Sequence, residues 1–81
     1  MDLIGEVSRI SGPVLDVNCE KEKEPPMHRL LMVEFGDKGV HIEVAAHVKP
    51  GLVRCVALEA TEGLFCGLGA VSYTHLQGSG N

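Results

Sequence analysis

The sequence has 81 residues, of which 44% are hydrophobic, 22% charged and only 4% aromatic, and its formal net charge is -4. This length allows one small domain, and the acidic balance argues against a nucleic-acid reader, which needs basic surface to neutralise phosphates. No apolar run approaches the roughly 20 residues that span a bilayer, and we expect no signal peptide at the N-terminus.

Short segments with apolar residues at every second position, separated by turn residues, predict an all-β chain. Alternation in the first segment is imperfect, and Gly5 within it indicates a bulge or a close backbone approach. No segment of ten or more residues has the apolar period of a helix. The predicted strands are residues 3–10, 14–17, 30–35, 40–48, 52–58 and 70–73.

Residues 40–58 (VHIEVAAHVKPGLVRCVAL) predict a hairpin around which the other strands are arranged. Apolar side chains recur at every second position from Val40 to Val48, which places His41 and His47 together on the opposite face. The Pro-Gly pair that follows suits the two central positions of a tight turn. The return strand is apolar on both sides and is therefore expected inside the sheet.

Two polar segments separate the other predicted strands. Residues 18–29 (NCEKEKEPPMHR) are charged, contain two prolines and lack an apolar period, so they predict a solvated loop. Residues 36–39 (GDKG) form a turn cluster, which joins the third and fourth strands as a hairpin.

Five or six short strands with turns at short intervals predict a sandwich or a small barrel. Closure is favoured because an open sheet of this length would expose two strand edges. Aromatic residues are few, so the core must be built from Val, Leu, Ile and Ala.

The titratable residues predict no catalytic, cofactor-binding or metal site. His41 and His47 lie roughly 20 Å apart at about 3.3 Å per residue, too far to share a metal ion. His41 and Glu43 are near neighbours, but two ligands do not make a structural zinc site. We expect these side chains to be exposed and solvated.

Arg54 is the one polar residue of an apolar strand, and it allows two interpretations. It can pair with Glu43 across the hairpin, where directly opposite charges contribute about 0.2–1 kcal/mol, or it can point outward. Other carboxylates are not placed as an acid–base pair and are expected at turns and on the surface. These carboxylates are Asp16, Glu34, Glu59 and Glu62.

The three cysteines form no CxxC pair, which favours a reduced, intracellular compartment. Cys55 is expected as a small core residue. Cys19 lies beside Glu20, whose charge disfavours a thiolate, and Cys66 lies in a late turn. We therefore predict no reactive thiol.

Two blocks of sequence carry a resemblance to a known family. The first is residues 5–7 (GEV) with 10–17 (ISGPVLDV). The second is residues 43–45 (EVA), His47, 53–54 (VR), 56–58 (VAL), 60–64 (ATEGL) and Gly67. In this order and spacing they resemble the opening of the β subunit of F-type ATP synthases, and the resemblance covers residues 3–69.

The resemblance implies that residues 1–71 are an N-terminal β-barrel, small, closed, six-stranded and of the Greek-key type, that acts as an assembly module. It implies neighbouring α and β subunits as partners, in a ring of barrels at the top of the catalytic hexamer. It implies neither nucleic-acid binding nor direct membrane insertion. It implies a peripheral place on the energy-coupling membrane, at the bacterial cytoplasmic face or its matrix or stroma equivalent. Arg54 is then expected to face a neighbouring subunit.

The parent family uses ATP or ADP with magnesium, at a site that belongs to the domain following the barrel. This chain lacks the GxxxxGK[ST] motif, in which backbone N–H groups and a lysine hold phosphates. Gly63, Gly67 and Gly69 are followed by no lysine and predict a turn between strands. We expect this chain to bind no nucleotide and to have no enzymatic activity.

Residues 72–81 (SYTHLQGSGN) do not continue the resemblance and have the composition of a flexible tail. Our hypothesis is a truncated reading frame with a foreign C-terminus, which would leave the last strand incomplete. Sequencing the source transcript across Gly69 tests this hypothesis.

Two alternative functions remain at this stage. One is the equivalent barrel of a related rotary or secretion ATPase subunit, including the non-catalytic α subunit, although residues 60–64 favour β. The other is a free-standing nucleic-acid-binding barrel, which needs basic patches and aromatic stacking platforms. The net charge is negative, and the aromatic residues number only three: Phe35, Phe65 and Tyr73.

Overall fold

The computed structural model describes residues 2–72, which form six antiparallel strands closed into a barrel. The strands are β1 (Asp2–Ser11), β2 (Val14–Cys19), β3 (Leu30–Phe35), β4 (Lys38–Lys49), β5 (Leu52–Ala57) and β6 (Gly69–Ser72). A short 3-10 turn, Lys21–Lys23, lies between β2 and β3. The order around the barrel is β1-β2-β5-β4-β3-β6, which confirms the predicted closed six-stranded barrel.

The strand order has the Greek-key arrangement. Strands β3, β4 and β5 follow one another through two hairpins, both of which were predicted. Strand β2 lies beside β5 and not beside β3, so the chain crosses one end of the barrel between β2 and β3. Gly36 (φ 59°) and Gly51 (φ 86°) provide the left-handed backbone conformations that the two tight turns require.

The interior of the barrel is aliphatic, as its composition predicted. Alternate residues of each strand point inward and remove their apolar surface from water, the dominant favourable contribution to folding. Cys55 lies among them as a small core residue, which confirms its predicted place. The buried apolar residues are Val7, Leu15, Val17, Leu31, Val33, Val40, Ile42, Val44, Val53, Cys55 and Ala70.

Gly5 marks a close approach of two strands, as its position in β1 predicted. A Cβ atom at this position would overlap the carbonyl group of Asn18 on β2. The pairing of β1 with β6 also shifts register between Leu3 and Gly5. Only glycine allows the backbones to lie this close without displacing one of them.

The predicted alternation along β4 is wrong beyond Val44. The pairing with β5 shifts register between Val44 and Ala46 and again between His47 and Lys49, as β-bulges do. Each bulge inserts one unpaired residue and reverses which face the following side chains occupy. Val48, predicted on the inner face, is therefore 42% exposed.

Several strand boundaries also differ from the predicted ones, and those of β2 and β6 bear on how the barrel closes. β2 continues beyond residue 17, because Asn18 and Cys19 pair with Glu6 and Gly5 of β1. β6 begins at Gly69 and pairs with β1 and β3, so the barrel closes within the described residues. The remainder of the predicted last strand and the predicted tail, residues 73–81, lie outside the described residues.

Candidate interaction surface

An ion pair between β2 and β5 lies on the outer surface of the barrel. The Arg54 guanidinium donates from Nε to Asp16 Oδ1 at 2.8 Å and from Nη2 to Oδ2 at 3.1 Å. Asp16 is only 6% exposed, whereas the Arg54 side chain is 41% exposed and covers it. The interpretation that Arg54 pairs with Glu43 is wrong, whereas Arg54 does point outward, as the other interpretation has it. Asp16 was expected to be exposed, but its carboxylate is buried beneath Arg54.

The strand register explains this choice of partner. Arg54 lies opposite Asp16 on β2 and opposite Ala46 on β4. Glu43 instead lies opposite Val56, two residues beyond Arg54 along β5, so it is not the directly opposite partner. The bidentate geometry matches the fork of the guanidinium to the two oxygens of one carboxylate.

The charges around Asp16 favour its ionised form. The hydrogen bonds from Arg54 lower the pKa of Asp16 below its ordinary value of 3.8, although burial acts in the opposite direction. The positive charge of Arg9, which lies opposite Asp16 on β1, lowers this pKa further. Arg9, Ser11 and Val14 line a shallow depression together with the ion pair. We call Arg9, Val14, Asp16 and Arg54 the β2 face.

A second charged contact joins β4 to the segment between β5 and β6. His41 donates its backbone N–H to Glu59 Oε1 at 2.8 Å, and its Nδ1 lies 2.9 Å from Glu59 Oε2. The backbone hydrogen bond, followed by the side-chain one, lowers the pKa of the Glu59 carboxyl. His41 was predicted to be solvated, but its ring is engaged by this carboxylate.

The crossover segment between β2 and β3 is attached to β4 and to the β4–β5 turn by three side-chain contacts, in addition to backbone hydrogen bonds between residues 28–29 and Val44. His28 Nδ1 lies 3.1 Å from Glu43 Oε2, and His47 Nε2 lies 2.7 Å from the Pro25 carbonyl oxygen. The Gly51 N–H donates to Glu24 Oε2 at 2.5 Å. The segment predicted as a solvated loop is thus tied to the barrel, and Pro25 is buried.

Large apolar side chains are exposed around Glu43 on the outer surface. Leu30 of β3 and Val56 of β5 lie opposite Glu43 on its two sides, and they are 44% and 40% exposed. Leu58, whose N–H donates to the His41 carbonyl, is 55% exposed. We call this surface the β4 face, and it comprises Leu30, His41, Glu43, Val56, Leu58 and Glu59.

The β4 face could not be read from the alternation of the sequence. Val56 and Leu58 belong to a segment that was expected inside the sheet, and β5 does lie between β2 and β4. The alternation does not indicate which side of this strand the barrel leaves uncovered. The signal present in the sequence was the apolar character of both sides of this segment, which also fits an interface. The pairing of Leu30 with Glu43 becomes visible only once the strand register is known.

The other residues considered as candidate sites lie apart from one another. His41 lies opposite Met32 and His47 opposite the buried Val53, so the bulge ends their predicted common face. Glu34 and Glu62 are exposed, as predicted. No group of three metal-ligating side chains occurs within residues 2–72.

The cysteines occupy three different environments. Burial raises the pKa of the Cys55 thiol to about 12, and the charge of Asp16 contributes to the shift. Cys19 is half-buried, and burial and the charge of Glu24 raise its pKa. Cys66 is exposed. The two shifted thiols are therefore poor nucleophiles at neutral pH.

The glycine-rich segment before β6 is a pair of turns. Gly63 (φ 90°) and Gly67 (φ 100°) both have left-handed backbone conformations. The Gly67 N–H donates to the Val7 carbonyl, and the Leu68 carbonyl accepts from the Val7 N–H, so the segment lies along β1. These groups are used within the barrel, and no lysine follows Lys49 in the sequence, so the segment does not fit a phosphate-binding loop.

Within residues 2–72, no helix has the length and apolar character needed to cross a membrane.

Comparison with protein families matches residues 7–68 to the β-barrel domain of the ATP synthase alpha/beta family. The match spans most of the chain and includes strands β2 to β5 and the second half of β1. The closed six-stranded barrel and this match agree, and the chain belongs to the ATP synthase alpha/beta family, in which it corresponds to the β-barrel domain.

Proposed function

We propose that this chain is the N-terminal barrel of the catalytic β subunit of an F-type ATP synthase and acts as a structural assembly module. Two ordered sequence blocks, residues 5–17 and 43–67, support the assignment to the β subunit, as does the ATEGL segment at residues 60–64. The family match supports the coarser assignment to an alpha/beta subunit barrel. In this role the barrel orients the catalytic domain within the hexamer.

The observation that carries the assembly role is the β4 face. Leu30, Val56 and Leu58 are large apolar side chains, between 40% and 55% exposed, and they lie around Glu43 on one side of a small barrel. Clustered apolar exposure of this kind costs free energy in water and is typical of surfaces that contact another protein. The proposed partners are the neighbouring α and β subunits.

In this proposal the barrel takes no part in ATP turnover. Asp16 and Glu59 have arginine and histidine partners, respectively, and the glycine turns use their backbone groups within the fold. We therefore expect the described residues to bind no nucleoside triphosphate with magnesium, and the proposal assigns ATP turnover to another domain of the parent protein. The proposed location is peripheral, on the energy-coupling membrane.

A second candidate function is the equivalent barrel of a related rotary or secretion ATPase subunit, or of the non-catalytic α subunit. The family match is compatible with each of these subunits. The residue 60–64 segment favours β among them. Neighbouring genes distinguish the candidates, since synthase genes and flagellar or secretion genes occur in different clusters.

Co-expression of this chain with a tagged F-type α subunit tests the proposal. We expect the chain to co-purify with the α subunit through affinity and size-exclusion steps. A chain that folds, by circular dichroism, but never co-purifies would contradict the assembly role.

A calorimetric titration tests the expected absence of a nucleotide site. Adding ATP and magnesium to the purified chain should give no heat of binding, and tight binding would refute this part of the proposal.

A further inference from the structure

Three charged side chains form a row across three neighbouring strands on the β2 face. Arg9 of β1 and Arg54 of β5 lie directly opposite Asp16 of β2, one on each side of it. Neighbouring strands are about 4.8 Å apart, so the backbones at the two arginines are separated by about 10 Å. Both arginines line the same shallow depression, and their long side chains can reach one point within it.

A β-bulge brings Arg9 into this row. The register of the β1–β2 pair shifts between Val7 and Arg9, which makes Ser8 the extra residue. In a regular ladder Arg9 would lie opposite the buried Leu15 and would point into the barrel. The bulge instead places it opposite Asp16, with its guanidinium on the outside.

The row holds more hydrogen-bond donors than Asp16 engages. An arginine carries five N–H groups, and Asp16 accepts from only two of those on Arg54. Within residues 2–72, the Arg9 guanidinium makes no hydrogen bond or ion pair and acts on Asp16 through its charge alone. The Ser11 hydroxyl, which lines the same depression, has no partner among these residues either. Two guanidinium groups beside one carboxylate leave the depression with a net positive charge.

We propose that this depression is a binding site for a tetrahedral oxyanion of the phosphate or sulfate type. The unused donors of Arg54 and the fork of Arg9 each present paired N–H groups that match two oxygens of such an anion. A carboxylate would be a poorer match, since Asp16 shows that one arginine engages both of its oxygens. The Ser11 hydroxyl can donate to a further oxygen.

Asp16 acts as a positioning residue for this site. Its two hydrogen bonds fix the direction of the Arg54 guanidinium, so that the remaining N–H groups are held in place before an anion arrives. Because Asp16 is only 6% exposed, its own charge is largely covered. The anion therefore meets the arginines and not the carboxylate.

The oxyanion site goes beyond the proposed assembly role and is independent of it. The side chains that line the depression include no aromatic ring on which a nucleotide base could stack. In ATP with magnesium, the metal ion also takes phosphate oxygens that the arginines would need. The expected absence of a nucleotide site therefore stands beside a site for the small anion.

An NMR titration of the purified full chain with inorganic phosphate tests the proposal. Sodium chloride is adjusted to hold the ionic strength constant, so that screening does not change. The amide signals of Arg9 and Ser11 and the Nε–H signal of Arg54 should shift along one saturating curve. Sulfate should compete for the same site, and chloride should not. Absence of a saturating shift, or equal shifts at Lys21 and Lys23, would overturn the proposal.

Matched variants separate this site from general charge. Arg9→Gln removes a donor fork at an exposed position and should weaken phosphate binding by at least about tenfold. Arg9→Lys keeps the charge without the fork and should also weaken binding. Lys21→Gln removes the same charge from the exposed 3-10 turn and should leave the affinity unchanged. Binding that Arg9→Gln does not weaken, or that Lys21→Gln weakens equally, would overturn the site.

Urea unfolding provides a second measurement and shows that each variant folds. Phosphate should raise the urea midpoint of the wild-type chain, because a ligand that binds only the folded state stabilises it. Phosphate also stabilises proteins in general, since it is excluded from their surface, so the comparison with Arg9→Gln is the informative one. The rise should be smaller in Arg9→Gln than in the wild type, and equal rises would overturn the proposal.

Discussion

The interior and the exterior of this barrel differ in the side chains they contain. The interior is almost entirely aliphatic, and residues such as Leu15, Leu31 and Ile42 have no exposed surface. The exterior combines ion pairs with apolar side chains that water still reaches, among them Val56 and Leu58. Within residues 2–72, no buried side-chain polar atom lacks a hydrogen-bond partner.

This difference separates stability from assembly. Interior side chains determine whether the strands close, because their burial offsets the conformational entropy that the chain loses. Exterior apolar side chains are only partly covered in the single chain and contribute little to its stability. Their cost is recovered only when another protein covers them. Variants on the two sides should therefore affect different measurements.

The largest effect on stability is expected from Ile42→Ala. Ile42 has no exposed surface, so its truncation leaves a cavity and should lower the free energy of unfolding by about 2–5 kcal/mol. Val56→Ala, on the outer side of the neighbouring strand, is the matched control. It should change the free energy of unfolding by no more than about 0.5 kcal/mol. Urea unfolding measures both, and equal losses would contradict the separation of interior and exterior.

A smaller effect on unfolding free energy is expected from Asp16→Ala. Asp16 lies on the outer side of the barrel but is buried, so it shares features of the interior and the exterior. The variant removes a carboxylate that accepts two hydrogen bonds from Arg54 and should cost about 1–3 kcal/mol in unfolding free energy. Glu62→Ala, at an exposed position, is the control. Unchanged urea midpoints for both variants would show that the ion pair does not support the β2–β5 contact.

The same ion pair predicts a dependence of stability on pH. The folded state lowers the pKa of Asp16 below 3.8, so its stabilising contribution is present above this pH. That contribution is lost as pH falls from 3.8 through the lower pKa of the folded state. Asp16→Asn should show a shallower loss of unfolding free energy over this range, and an acid transition identical to that of the wild type would count against the pair.

The smallest effect is expected from Glu59→Gln. The amide oxygen can still accept the His41 N–H, so global stability should hardly change. The weaker contact should raise hydrogen exchange at the Leu58 amide, which bonds to the His41 carbonyl. Glu62→Gln provides the control on the same segment. Unchanged exchange at Leu58 would mean that the Glu59 contact does not hold this segment to β4.

The parts of the fold that depend on neighbouring sequence could be predicted. The β4–β5 turn follows from Pro50 and Gly51, whose backbone preferences match it, and the close approach of β1 and β2 follows from Gly5. The bulges that move Val48 outward could not be predicted, because the residues there, alanine, histidine and valine, are ordinary strand residues. A bulge depends on pairing across the whole sheet.

The outer surface could be predicted only in part, since it depends on strands distant in sequence. Asp16 and Arg54 are each the single charge in an otherwise apolar strand, which was a usable signal that they meet. Their pairing follows from the contact between β2 and β5, which the chain order does not indicate. The family resemblance predicted the barrel, but it named no individual contact residue.

One experiment tests most directly whether different residues determine stability and assembly. For two variants it measures capture by a tagged F-type α subunit together with the free energy of unfolding. Leu58→Glu should keep the unfolding free energy of the wild type and lose capture. Ile42→Val should lose about 0.5–1.5 kcal/mol of unfolding free energy and keep capture. Undiminished capture of the Leu58→Glu chain, or loss of capture by a folded Ile42→Val chain, would contradict the account.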